Sequence, residues 1–110
     1  MSLDIDVIRE RVRDGKYLVR THAITHALKE GFERKHIVEA ILEGRIIEEY
    51  EGEQRVLICG KTTLSENSPI YLHVVCEYAD AVYAEFVTAY IPDELLWESP
   101  PFKRRDKRTK

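Results

Sequence analysis

Residues 34–62, RKHIVEAILEGRIIEEYEGEQRVLICGKT, contain the change of rhythm that decides the fold. Before Gly44, the residues Ile37, Val38, Ala40 and Ile41 gather on one side at a spacing near 3.6, which predicts a helix from Arg34 to Glu43 with Gly44 as its stop. After Gly44 the period drops to about 2, and β-branched and aromatic residues concentrate, the pattern of strands. RIIEEY and QRVLICGKT then form a hairpin around Glu51-Gly52-Glu53.

On the N-terminal side the helical rhythm continues. Asp4 is placed to cap a first helix carrying Ile5, Ile8 and Val12, and Gly15 to end it. Tyr17 to Arg20 reads as extended, and Thr21 as the cap of a second helix that runs to Glu30 and stops at Gly31. On the C-terminal side, the polar stretch Thr63 to Pro69 is a loop into IYLHVVCEY, and Ala79-Asp80-Ala81 turns into VYAEFVTAYI. Helices first and strands afterwards, at short connections, predict an α+β domain. In it, two to three N-terminal helices pack on one face of a four-stranded antiparallel sheet, and the other face is left for a ligand. PDELLWE, residues 92–98, is expected to turn and pack Leu95, Leu96 and Trp97. Residues 1–98 thus form a single domain, and residues 99–110 a basic, flexible tail.

The composition suits one hydrophobic core: 44% hydrophobic and 34% charged residues are too apolar for a disordered chain. The charge is segregated. Residues 103–110 carry +5 against a total of -3, which leaves -8 on the first 102 residues by subtraction. Such a body opposes a broad nucleic-acid surface, while the basic end suits phosphates or an acidic partner. The charged N-terminus and the lack of a long apolar run lead us to expect a cytoplasmic protein without a membrane segment. Cys59 and Cys76, each inside an apolar strand, are expected to be reduced, buried thiols.

The side chains able to do chemistry are few. In the second helix Ala23, Ile24, Ala27 and Leu28 form the apolar arc, and His22 and His26, four apart, point away from it. Imidazoles titrate near neutrality, so such a pair is able to exchange protons with a substrate. A metal is the other use of histidines at this spacing. It would need a third ligand from His73, Cys76 or an acid, and no glutamate follows the first histidine as in zinc proteases, so no metal and no cofactor are expected. His36, at the start of the third helix, reads as structural or exposed. On the strands, alternation sets Arg55, Leu57 and Cys59 on one face and likewise groups Tyr71, His73 and Val75. In the last strand it groups Ala84, Phe86, Thr88 and Tyr90 against Glu85, Val87, Ala89 and Ile91, and leaves open which set meets the helices.

Several short motifs in order resemble a known family. His22-Ala23, Gly31, the strand Ile46 to Tyr50 after Gly44, the Arg55 strand ending in Gly60, and Val87 to Pro92 with Trp97 look like the bacterial and archaeal family labelled domain of unknown function 4258. The resemblance covers about residues 16 to 97. The family has no established activity, and its architecture is similar to that of RelE and BrnT toxins, small ribonucleases with helices on an antiparallel sheet, so the resemblance implies a RelE-like fold. Arginine is more usual in the family where this chain has His26 and Glu30.

Two functions follow as expectations. The first is a protein-binding or regulatory module of toxin-antitoxin type, meeting an antitoxin or other protein partner, or pairing as a homodimer through an exposed strand edge. The alternative is a metal-independent endoribonuclease acting on RNA. There His22 would be the base, His73 or His26 the acid, Arg55 the cation beside the phosphorane, and Tyr90 a positioning group.

Overall fold

The computed structural model of the protein describes residues 4–64 and 68–105. Among them are three α-helices and five strands, in the order α1 (Ile5–Arg13), β1 (Tyr17–Val19), α2 (Thr21–Glu30), α3 (Arg34–Glu43), β2 (Arg45–Tyr50), β3 (Arg55–Thr63), β4 (Pro69–Glu77) and β5 (Ala84–Tyr90). One 3-10 turn, Glu51–Glu53, closes the β2–β3 hairpin at the expected place. Three residues of the expected Thr63 to Pro69 loop, 65–67, lie outside the described residues.

The helix ends follow from local chemistry. The Asp4 carboxylate accepts from the Asp6 amide at 2.9 Å and caps α1. Gly31 ends α2 with φ +87, a left-handed conformation that other residues adopt at a cost. Thr21 is not a cap: Arg20 holds the cap position without a side-chain bond, and Thr21 is the first helical residue. At α3 the cap is reciprocal, the Glu33 amide donating to Nδ1 of His36 at 2.8 Å, so the structural reading of His36 holds.

The sheet corrects the expected four antiparallel strands to a five-stranded mixed sheet of order β1-β5-β4-β3-β2. The segment read only as extended, Tyr17–Val19, pairs in parallel with β5. The Ala84 amide donates to the Lys16 carbonyl and the Arg20 amide to the Phe86 carbonyl, each at 3.1 Å. Three residues are too few to show an alternation, which is why the strand is not visible in the sequence. Two bulges also break the period of 2, between Ile46 and Glu48 in β2 and beside Phe86 in β5. The second reverses the sides of the last strand halfway: Ala84 and Phe86 join Ala89 and Ile91 toward the helices, while Tyr90 turns to the opposite face with His73.

The helices cover the face formed by Val56, Ile58, Leu72, Val74, Cys76 and Phe86, and bury Ala27, Phe32, Ile37, Ala40 and Ile41 against it. The approach is closest where α3 crosses β3. A Cβ on Gly60 would stand 1.9 Å from the Ala40 carbonyl oxygen, and one on Gly44 would stand 2.4 Å from that same atom. Residues 92–105, called the strap below, cross part of the opposite face. There Trp97 is buried as expected, but Leu95 and Leu96 are exposed, because the turn points them outward. Pro101, Phe102 and Arg104, in the stretch read as tail, pack on the sheet, and residues 106–110 lie outside the described residues. Among the described residues no helix is long and apolar enough to cross a membrane.

Helix α1 is tied to α3 by one guanidinium. Arg9 donates from Nε to the Ile41 carbonyl at 3.4 Å and from Nη2 to the Gly44 carbonyl, and so satisfies two acceptors at the end of α3. Replacing Arg9 by Ala is expected to lower unfolding stability by about 1–2 kcal/mol in urea titration, and by Met somewhat less, since the apolar stem is retained.

Candidate functional site

The sheet face turned away from the helices is organised in rows. In the first, Tyr50, Arg55, Glu77, Glu85 and Leu18 stand in register on β2, β3, β4, β5 and β1. Glu48, Leu57, Val75 and Thr88 form the second row, and Arg45, Cys59, His73 and Tyr90 the third. Lys61 and Tyr71 follow. This geometry separates the candidate residues into three groups.

The first row is a charge network with Glu77 at its centre. One Glu77 oxygen accepts from Nε of Arg55 at 3.1 Å, and the other from Nη2 of Arg20 at 3.1 Å. Arg20 also donates to Glu85 at 3.3 Å. Arg55 is therefore held in place by a carboxylate. Beside this network Leu18 is 53% exposed. In the parallel ladder the Leu18 backbone faces β5, so the amides and carbonyls of Tyr17 and Val19 point outward from the edge.

The middle of the third row, Cys59 and His73, is sealed. His73 is 0% exposed. Its Nε2 lies 2.8 Å from the Pro101 carbonyl, which can only accept, so Nε2 carries the proton; Nδ1 then accepts from the Tyr90 hydroxyl at 3.2 Å. The Trp97 indole stands edge-on to this ring at 4.3 Å between centroids. Burial holds the His73 pKa below its ordinary value, and pushes the Tyr90 phenol up to about 12 and the Cys59 thiol up to about 11. Cys76, on the helix side, is pushed up to about 12 for the same reason, and both thiols are free. At the strap's edge, Arg104 donates to both oxygens of Glu48, at 2.8 and 3.1 Å. That pairing, the larger cause, and a bond from Tyr50 hold the Glu48 pKa low.

The third group lies on α2, whose Ala23 and Ala27 are buried while His22 faces solvent. His26 meets Glu30 at 2.8 Å from Nε2, and the other Glu30 oxygen accepts from the Ile91 amide at 2.7 Å, which ties the helix to the end of β5. The His22 and His26 rings are 6.4 Å apart between centroids, and with Thr25 and Lys29 they line a shallow depression. Both imidazoles leave the core, as the periodicity predicts, but Leu28, placed by the same periodicity in the apolar arc, is 70% exposed.

The structure thus brings His73 to Tyr90, Arg55 to Glu77 and His22 to His26, and keeps these sets apart. Arg55 and His73 share a face, but four residues of strand separate their rows, about 13 Å. The pair on α2 lies on the other side of the sheet. No cluster of three or more histidine, cysteine or acidic side chains able to hold a metal occurs among the described residues. Sequence reasoning missed Glu77, Arg20 and Glu30. Glu77 was within reach, since it lies four residues after His73 and hence on the same face, whereas Arg20 needed knowledge of β1.

The chain belongs to the family described as Domain of unknown function (DUF4258), whose model matches residues 19–91, from β1 through β5. No curated protein and no solved structure matches it. The strap and α1 lie outside the matched residues.

The buried His73 gives stability a pH dependence of definite sign. Above about pH 6.5 the ring is neutral in the folded and the unfolded chain alike. Below it the unfolded chain binds a proton that the folded ring resists, so stability falls with pH and levels off once pH passes below the folded-state pKa. Urea midpoints between roughly pH 7.5 and 5 should therefore drop less steeply in His73→Gln than in the parent. Parallel slopes would contradict the neutral, buried ring.

Proposed function

We propose that the protein is a binding module of toxin-antitoxin type that grips a protein partner along β1 and the first row of the sheet face. The observation that carries this reading is the Arg20–Glu77–Arg55 network beside the exposed Leu18. The arginines are pre-positioned, an apolar side chain stands next to them, and the Tyr17 and Val19 backbone groups are free to pair with an added strand. A partner with an extended acidic and apolar segment satisfies all three features. The -8 charge of the first 102 residues speaks against RNA as the ligand of this surface.

A second reading, the metal-independent endoribonuclease, is favoured by one observation: Glu30 orients His26 as a carboxylate orients a catalytic imidazole, with His22 alongside. In that reading His22 is the base and His26 the acid. Arg55, His73 and Tyr90 would have to act from the opposite side of the sheet, which weighs against it.

The test is co-expression with the protein encoded next to this one, followed by titration of the purified pair. A one-to-one complex is expected, weakened at least about tenfold by Arg20→Glu or Leu18→Arg with little change in melting temperature. Lack of a complex, or affinity indifferent to both changes, contradicts the binding reading. RNA cleavage in EDTA that His22→Ala abolishes would replace it by the second.

A further inference from the structure

The strap is held on the sheet by side chains. Its described backbone bonds beyond residue 95 close on itself, the Glu98 amide on the Lys103 carbonyl and the Arg105 amide on the Leu96 carbonyl, both at 2.9 Å. This small loop sets Trp97 opposite Arg104 in an isolated antiparallel bridge. The two side chains act as a pair. Trp97, 3% exposed, presses on His73, while the Arg104 guanidinium lies 4.6 Å from the Trp97 ring and clasps Glu48. Phe102 adds an edge contact to Tyr71, centroids 5.6 Å apart, with Arg45 above it at 4.0 Å.

Four observations mark this cover as separable from the sheet it sits on. The backbone adds no strand to the sheet, and its one bond to a sheet side chain is Pro101 to His73. Packing at its margin is incomplete: a pocket of about 240 Å³, open to solvent, lies where the strap meets Ile70, Tyr71 and Ile91 of the sheet side. The strap's outer side carries Leu95, 83% exposed, and Leu96, so its seat offers them no burial. The family match ends at residue 91, just before it.

We propose that residues 92–105 are an autoinhibitory strap seated in a docking groove, and that the groove's exchangeable occupant is a looped partner segment presenting an aromatic side chain beside an arginine. The groove dictates that chemistry. An aromatic plate is needed over His73 and Tyr71, and a cation over Glu48, the acid on this half of the face that Arg104 neutralises. This inference goes beyond the β1 surface proposed above and does not depend on it, since the two sites occupy opposite ends of the face.

The experiment uses the full chain and, as probe, a fluorescent peptide of residues 92–105. Weakening the resident strap should open the groove to the probe. Binding to Trp97→Ala and to Arg104→Glu is expected to be at least about tenfold tighter than to the parent, and a probe carrying Trp97→Ala should not bind. Equal binding to the parent and a folded variant, or no binding to any, overturns the proposal. Should Trp97→Ala fail to fold, Arg104→Glu and hydrogen exchange on the parent decide. The Glu98 and Arg105 amides are expected to exchange at least about 100-fold faster than those of Ile58 and Val74, and exchange of all four at one rate overturns it. A concentration-dependent dimer of the parent, dissociated by Trp97→Ala, would make the occupant the strap of a second copy and overturn the partner-segment claim.

Discussion

The structure depends on how closely α3 sits on β3. The Ala40 carbonyl lies where a Cβ of Gly60 or Gly44 would have to go, and neither glycine has a left-handed backbone, so both are required for space. Backbone against backbone, without an intervening side-chain layer, fixes the height and rotation of the helix. It also decides the faces. With Gly60 under α3, its neighbours Cys59 and Lys61 point the other way, and the whole register of β4 follows, His73 and Glu77 included. Arg9 then locks α1 to the end of α3.

This assignment divides the chemistry of the molecule. Once the helices take Val56, Ile58, Val74 and Phe86, the polar side chains of the strands collect on the remaining face. That face is used in two ways. His73, in its third row, is desolvated under Trp97, whose burial is worth on the order of 3 kcal/mol, whereas the Arg104–Glu48 pair, with its arginine largely exposed, adds at most about 1 kcal/mol. The first row is only half-buried and keeps contact with water, its arginines fixed by Glu77. A buried neutral histidine at one end and a hydrated ion network at the other make a catalytic partnership between His73 and Arg55 unfavourable, and make the face better suited to docking than to proton transfer.

Much of the fold is legible in the sequence, because it rests on local signals. Asp4, Gly31 and the period change at Gly44 mark the helix ends within a residue or so, and the β2–β3 hairpin follows from its turn. What the sequence hides is non-local. Strand β1 exists only because β5 offers a partner more than sixty residues away, and the bulge beside Phe86 turns Tyr90 over with no change in composition. For the candidate site, the outward direction of His22 and His26 is readable from helical phase, but Glu30 looks like an ordinary surface acid until the Ile91 amide is placed beside it. The strap resists reading for the same reason: SPPFKRR has a tail's composition, and only the aromatic surface of His73 and Tyr71 gives it a seat.

The claim that the close approach of α3 organises the rest is tested most directly by thermal and urea unfolding of Gly60→Ala beside Gly52→Ala, whose added methyl meets nothing within 4 Å. The account predicts a loss of roughly 3 kcal/mol for the first and little change for the second. A Gly60→Ala protein as stable as its parent would show that the helix has room to move, and that the faces are set by something else.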